Sequence, residues 1–167
     1  MPETIHAITI ASPANKIDLF TGFLLITLII VANAAKKLHY DNDVRILGIL
    51  GSAGLLLGVA LGAFGAHALK SKLTESALNT FEIGVRYQMY HSLAILFAAL
   101  FSERSGLFQT AGYLYAAGIL LFSFSLYVLA FTGIKWLGAI TPLGGLCFLA
   151  GHALLLIAFL RGFAPLR

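Results

Sequence analysis

Seven polar side chains within or beside long apolar stretches are the residues of this 167-residue sequence best placed to bind a ligand. They are two histidines, an arginine, a glutamine and three hydroxyl-bearing residues: His67, Arg86, Gln88, His91, Ser125, Tyr127 and Thr141. Gln88 and His91 are three residues apart and therefore share one face of a helix. Polar groups buried in hydrocarbon either hydrogen-bond to a neighbouring helix or bind a ligand. The seven residues thus predict either a network that fixes helix register or a pocket for a small ligand or lipid headgroup.

Two of the seven, His67 and His91, could also bind a metal ion or supply the axial ligands of a haem. No carboxylate accompanies them to orient the rings, as one usually does around metal-binding histidines. The single cysteine, Cys147, excludes an internal disulfide and a cysteine-built metal cluster. We therefore expect no metal and no cofactor, with a haem- or metal-binding enzyme as the more distant alternative. His152 lies in a separate apolar run, where either a hydrogen-bonded neutral ring or a proton relay fits its position.

Short catalytic motifs are missing from the sequence. It contains no Gly-x-Ser-x-Gly, no His-Glu-x-x-His and no Cys-x-x-Cys. All seven acidic residues lie outside the apolar runs, which argues against a proton pump or a secondary transporter. We therefore expect that the protein is not an enzyme.

The composition indicates which elements must hold these residues. Hydrophobic residues make up 59% of the chain and charged residues 11%, against about 45–50% and about 25% in soluble domains. So few charges cannot cover a soluble surface. The formal charge of +4 is scattered between apolar runs, which argues against a nucleic-acid-binding module. The sequence therefore predicts an all-α, polytopic integral membrane protein.

Charged residues delimit five apolar segments, and a helix needs about 20 residues to cross a bilayer. They predict spans at 19–35, 46–69, 83–102, 107–134 and 136–160. The last four form a four-helix domain over residues 46–162, preceded by an N-terminal extension (1–45) and followed by a short tail (163–167). Thr74 can cap an earlier, amphipathic start of the second helix of this domain. The first segment could instead be a signal peptide, since residues 32–34 fit a small-residue cleavage site.

Glycine and proline indicate how these helices pack. Gly54, Gly58, Gly62 and Gly65 recur in steps of four and three, which places them on one stripe of the first helix of the domain. Small residues let membrane helices approach closely, so this stripe predicts a helix–helix contact. In the last span, three neighbouring residues predict a kink or a short break: Pro142, Gly144 and Gly145.

The expected topology brings the seven polar residues to one side of the membrane. Helices joined by short connections run antiparallel. The seven residues then fall in the leaflet next to the loop between the first two helices of the domain. We therefore expect one polar cluster that opens toward that side.

Five motifs follow one another along the four-helix domain: LGAFGAH (61–67), GVRYQMYHSLA (84–94), LFSFSLY (121–127), TPLGG (141–145) and FLAG (148–151). They resemble the signatures of the YgdD/YwdK-like family of small inner-membrane proteins, which carries a domain of unknown function and is related to small animal transmembrane proteins. The resemblance covers about residues 46–162 and implies a four-helix membrane protein without an assigned activity, substrate or cofactor. Two features depart from the family pattern: the extra residues 1–45, and His152 where the family tends to have tryptophan.

The extra helix and the glycine-rich faces favour a structural or interaction role, such as an accessory subunit of a larger membrane complex. The alternative is a ligand-binding or transport protein that uses the polar cluster. The expected partners are the lipid bilayer and either other membrane subunits or further copies of this chain, with no nucleic acid. The expected location is the bacterial inner (plasma) membrane, or the mitochondrial inner membrane in a eukaryote, as a multi-pass protein.

Overall fold

Four long helices make up the computed structural model, which describes residues 42–162. They are α1 (Asn42–Leu69), α2 (Glu75–Phe101), α3 (Gly106–Thr132) and α4 (Thr141–Arg161), with a short 3-10 helix at Lys135–Ala139 before α4. No strand occurs within residues 42–162, so the all-α prediction is confirmed for that part of the chain. The helix predicted at 19–35 and the tail at 163–167 lie outside the described residues.

Three helical segments are long and apolar enough to cross a membrane: Asn42–Leu69, Gly106–Thr132 and Lys135–Arg161. The predicted span at 83–102 forms part of α2, which has the length of the others but is not among these candidates. Its middle carries Arg86, Gln88 and His91, and these polar residues lower its apolar character. The predicted arrangement of four spans plus one is therefore not confirmed.

Side-chain caps and a glycine fix the ends of α2 and α3. The hydroxyl of Thr74 accepts a hydrogen bond from the backbone N–H of Ala77 at 3.3 Å, as the sequence predicted, so α2 begins eight residues before the apolar run at 83. Ser105 caps α3 in the same way. Gly133 ends α3 with φ at 68°, a left-handed conformation that glycine adopts without a steric penalty.

The predicted break near Pro142 lies just before that residue. The chain passes from the 3-10 helix into α4 at Ile140. Pro142 then stands in the first turn of α4, where backbone N–H groups have no partner within the helix. Of the predicted kink or short break, the structure has a change from 3-10 to α-helix just before Pro142, and proline begins α4.

The glycine stripe of α1 was predicted to contact another helix, and that helix is α2. A Cβ atom at Gly58 would lie 2.5 Å from the sulfur of Met89, and one at Gly65 would lie 3.1 Å from the ring of Phe81. At Gly54 a Cβ atom would collide with the hydroxyl of Ser92. Close approach of α1 to α2 along this line thus depends on the absent side chains.

Two helices widen locally into π-helical turns, which the sequence pattern did not predict. These turns are Gly65–Leu69 at the end of α1 and Ile119–Ser123 in the middle of α3. Such turns occur frequently at functional sites. The second one packs against both α2 and α4, so it lies where three helices meet.

Candidate functional site

Gln88 joins three helices through its side-chain amide. Its Nε2 donates to the backbone oxygen of Gly54 on α1 at 2.8 Å, and its Oε1 accepts from the hydroxyl of Tyr127 on α3 at 2.9 Å. A backbone oxygen can only accept, so this contact fixes which end of the amide faces α1. Gln88 is 5% exposed. The sequence predicted that Gln88 and Tyr127 lie together, and they do.

A cavity of about 450 Å³ lies beside this pair, between α1, α2 and α3. Its described lining consists of apolar side chains, Gly54, Gln88 and Tyr127, and includes no charged residue: Leu50, Ala53, Gly54, Leu57, Leu61, Gln88, Ile95, Ala116, Ile119, Leu120, Phe124 and Tyr127. Two of these residues, Leu57 (57% exposed) and Leu120 (68%), also contribute to the outer surface of the bundle. The cavity therefore reaches the apolar face that a bilayer would cover.

His91 belongs to a different region, although it is only three residues from Gln88. Its ring stacks on Phe148 of α4, with centroids 3.4 Å apart and planes 8° apart. Its Nδ1 donates to the backbone oxygen of Tyr87 at 2.8 Å. The surrounding side chains form what we call the aromatic cluster: Tyr87, His91, Tyr115, Phe122, Phe148 and His152.

His152 is part of that cluster and not a separate feature, in contrast to the sequence-based reading. Its Nδ1 is hydrogen-bonded to the hydroxyl of Tyr115 at 2.9 Å, and its ring centroid lies 5.5 Å from that of His91. Packing of α4 against α3 brings the middle of α4 to this level. Tyr115 and Phe148 were not among the predicted site residues, although Phe148 begins one of the family motifs.

Two glycines could have indicated these missed rings. A Cβ atom at Gly151 would lie 2.5 Å from the ring of Tyr115, and one at Gly118 would collide with the ring of Phe148. Each ring therefore occupies the space that a side chain would need on the facing helix. A glycine within an apolar run is a signal for such a close contact, but it does not say which ring fills the space.

Ser125 and Thr141 form a third, separate contact. Their hydroxyls are 3.0 Å apart, and the hydroxyl of Ser125 also donates to the backbone oxygen of Phe122 at 2.8 Å. The pair joins the end of α3 to the start of α4 across the short 3-10 helix. Its local hydrogen bonding fits a structural connection.

His67 and Arg86 stay outside these groups, since both are exposed. Arg86 lines a smaller hollow of about 220 Å³ together with Glu82 and the glycines at 62 and 65. The seven predicted residues thus do not form one cluster. Gln88 meets Tyr127, Ser125 meets Thr141, and His91 meets the missed residues of α3 and α4.

Metal ligands do not gather in the described part of the chain. Within residues 42–162, no group of three or more histidine, cysteine, aspartate or glutamate side chains is arranged to hold a metal ion. His91 and His152 are neighbours, and each has its Nδ1 atom in a hydrogen bond within the bundle.

Comparison with known proteins gives relatives along most of the chain. The family described as "Protein of unknown function (DUF423)" matches residues 61–145. The UPF0382 membrane protein YwdK of Bacillus subtilis is 43% identical over 120 residues, which are 70% of this chain and 98% of that protein. The UPF0382 membrane protein SAB0533 of Staphylococcus aureus is 45% identical over 111 residues, 66% of this chain and 91% of that protein. No solved structure matches.

The matched region holds the α2 and α3 residues of the cavity wall and part of the aromatic cluster, whereas most of the α1 residues of the wall precede it. Gln88, His91 and Tyr127 lie inside residues 61–145, whereas Phe148 and His152 follow it. The relatives are membrane proteins by name, and three described segments can cross a bilayer. This chain is accordingly a membrane protein.

Proposed function

The chain belongs to the DUF423 family of proteins of unknown function, which confirms the resemblance drawn from its motifs. We propose that it binds an apolar, membrane-soluble molecule in the cavity beside Gln88 and Tyr127. The observation that carries this proposal is the cavity itself. Ligand sites are typically clefts of about 300–1,000 Å³ with apolar walls and a few polar groups that orient the ligand. A volume of about 450 Å³ with an amide and a phenol in its wall fits that description.

Access from the lipid supports the proposal further. Leu57 of α1 and Leu120 of α3 line the cavity and are also exposed on the apolar outer face. A lipid-soluble molecule could enter between them without passing through water. Transfer of such a molecule from the bilayer into an apolar cavity would change its free energy little. Its affinity would therefore depend on shape and on the two polar groups.

Binding fits the site better than catalysis does, and we propose that the protein is not an enzyme. Gln88 has no proton to exchange in acid–base chemistry, and the hydroxyl of Tyr127 is already donated to it at 2.9 Å. The pair can orient a molecule but offers no base or nucleophile poised to attack one.

A photoactivatable monoacylglycerol with a diazirine in its acyl chain tests the proposal on the full chain in lipid nanodiscs. We expect the label on residues of the cavity wall. Ala116→Phe places a ring in the cavity and should lower this labelling about tenfold. Ala150 is exposed on α4, which contributes none of the described lining residues, so Ala150→Phe is the matched control and should label like the wild type. Even labelling of all lipid-facing surfaces, unchanged in Ala116→Phe, would overturn the proposal.

A second candidate function is the accessory subunit expected from the sequence. It is favoured by the exposure of α1. Only 17% of an apolar 18-residue stretch of α1 is buried within the protein, against 28% of the corresponding stretch of α3. The exposed side of α1 carries small residues such as Ala60 and Ala63, which allow another helix to approach closely. Isolation in mild detergent should then recover a partner with the wild type and lose it with Ala63→Phe, while Ala150→Phe retains it. Equal recovery with both variants would count against this role.

The plasma (inner) membrane is the location that we propose. The support is that the candidate spans are apolar α-helices, which satisfy their own backbone hydrogen bonds in lipid. Fractionation of cell membranes checks this, and recovery of the chain with outer-membrane markers would contradict it.

A further inference from the structure

We infer that the molecule bound in the cavity is an uncharged amphiphile that presents a carbonyl oxygen to Gln88, such as an acyl ester or a quinone with a hydrocarbon chain. This inference rests on the proposed function and concerns which chemical class the cavity selects. Three features of the site lead to it: the unused hydrogen-bonding capacity of Gln88, its burial, and the absence of charge from the described cavity wall.

The amide of Gln88 has donor capacity left over. A side-chain amide carries two N–H donors on its nitrogen. One of them is given to the backbone oxygen of Gly54. No described residue accepts the second, although Gln88 lies in the cavity wall. The site therefore offers a free donor, and the group that complements a donor is an acceptor oxygen.

Because this free donor is buried, leaving it unpaired costs free energy. Gln88 is 5% exposed, and in a membrane the neighbouring medium is hydrocarbon and not water. A buried N–H without a partner is costly, whereas pairing it recovers that cost. A ligand that brings a carbonyl oxygen gains this pairing, and a plain hydrocarbon does not.

The lining also excludes a charged headgroup from the cavity. None of its described residues is charged. An ion within the hydrocarbon region is expensive unless an opposite charge accompanies it. A fatty-acid anion should therefore bind less well than its ester, although both contain a carbonyl oxygen and the same chain.

Competition against the photoactivatable monoacylglycerol measures this selectivity, with four competitors: decane, sodium decanoate, methyl decanoate and decylubiquinone. In the wild type we expect the ester and the quinone to compete about tenfold better than the alkane, because they pair a buried donor that the alkane leaves unpaired; tenfold corresponds to about 1.4 kcal/mol. The decanoate anion should compete no better than the alkane. Comparison of methyl decanoate with decylubiquinone then distinguishes an acyl lipid from an isoprenoid-type ligand.

Variants assign the selectivity to Gln88. Gln88→Leu is made in a Tyr127→Phe background, because the hydroxyl of Tyr127 lines the cavity and would otherwise be free to donate in place of Gln88. Compared with Tyr127→Phe alone, the added change removes the donor but keeps the volume, so the ester should fall to the level of the alkane while the alkane is unchanged. Ser92 is one turn further along α2, is fully buried, and its hydroxyl has no partner among the described residues, yet it does not line the cavity. Ser92→Ala is therefore the matched control and should preserve the ranking of competitors.

An infrared measurement on the wild type alone keeps the inference testable if Gln88→Leu fails to fold. The ¹³C-labelled carbonyl of methyl decanoate should absorb at lower frequency in the protein than in empty nanodiscs, because a hydrogen bond weakens the carbonyl stretch. If the alkane competes as well as the ester and the carbonyl does not shift, the inference is wrong but binding in the cavity stands. If the cavity does not label at all, the proposed function itself has failed.

Discussion

Gln88 and His91 are almost equally buried on one helix, yet the regions around them differ in how the neighbouring space is filled. Gln88 is 5% exposed and borders a cavity of about 450 Å³. His91 is 6% exposed and lies face to face with Phe148 at 3.4 Å. Burial alone therefore does not distinguish a binding residue from a packing residue. The two residues differ in the unfilled volume next to the polar group, which only Gln88 borders.

Gly144, beside the aromatic cluster, differs from glycines of α1 in what it contacts. On the cavity side, Gly54 and Gly58 of α1 face the side chains of Ser92 and Met89 on α2. On the side of the aromatic cluster, Gly144 of α4 faces backbone atoms of α3. Side chains can rotate away from an added methyl group, whereas backbone cannot move without separating the helices. Gly144 should therefore tolerate an added methyl group less well than Gly54 or Gly58.

The largest effect is expected for Gly144→Ala. Its Cβ atom would lie 2.5 Å from the backbone nitrogen of Phe122 and 2.9 Å from the backbone oxygen of Gly118. We expect a loss of about 3 kcal/mol in the free energy of unfolding, measured by SDS titration from mild-detergent micelles. Gly145 is the matched control, since an added Cβ would approach no closer than 4.0 Å. Equal stability of Gly144→Ala and Gly145→Ala would show that α3 and α4 are not tightly packed here.

A smaller effect should separate His91 from Gln88. His91→Ala removes a ring that contacts Phe148 and Tyr115, and we expect about 2 kcal/mol of destabilisation from the space left behind. Gln88→Ala removes two hydrogen bonds beside an existing cavity and should cost about 1 kcal/mol, at about 0.6 kcal/mol for each bond.

His91→Phe sharpens this comparison, because it preserves the stacked ring. It should recover most of the stability lost in His91→Ala in the same SDS titration. If His91→Phe is as unstable as His91→Ala, the imidazole nitrogens matter beyond packing and the structural reading of the aromatic cluster is wrong.

The smallest effects on stability come from removing single hydroxyl groups. Tyr115→Phe breaks the hydrogen bond to His152, and Tyr127→Phe breaks the bond to Gln88. Each should cost about 0.6 kcal/mol of unfolding free energy. Ligand competition should tell them apart, since only Tyr127 lines the cavity. Weaker binding in Tyr115→Phe than in Tyr127→Phe would show that the ligand binds at the aromatic cluster and not in the cavity.

Local features of this fold were accessible from the sequence because they depend on neighbouring residues. The cap at Thr74 and the glycine stripe of α1 were predicted and are present. The position of the break near Pro142 was predicted to within a few residues. The π-helical turn at Ile119–Ser123 was not predicted, because no residue type marks an extra residue in a helical turn.

The candidate site was predictable only in part. Sequence reasoning selected Gln88 and Tyr127 as polar residues in apolar runs, and they do meet. It set His152 apart and included His67, whereas His152 lies 5.5 Å from His91 between ring centroids and His67 is exposed. Distance along a helix gives depth in the bundle, but not which side of the helix faces a partner.

By itself, the sequence determined that this is a helical membrane protein with a glycine-lined helix contact, because composition and helical periodicity depend on residue type and spacing alone. Only the tertiary structure decided that Gln88 and Tyr127 border an open cavity whereas His91 and His152 lie in a stack of rings. Cavities arise from the fit between side chains of different helices. That fit depends on crossing angles and rotations, which contacts distant along the chain establish together.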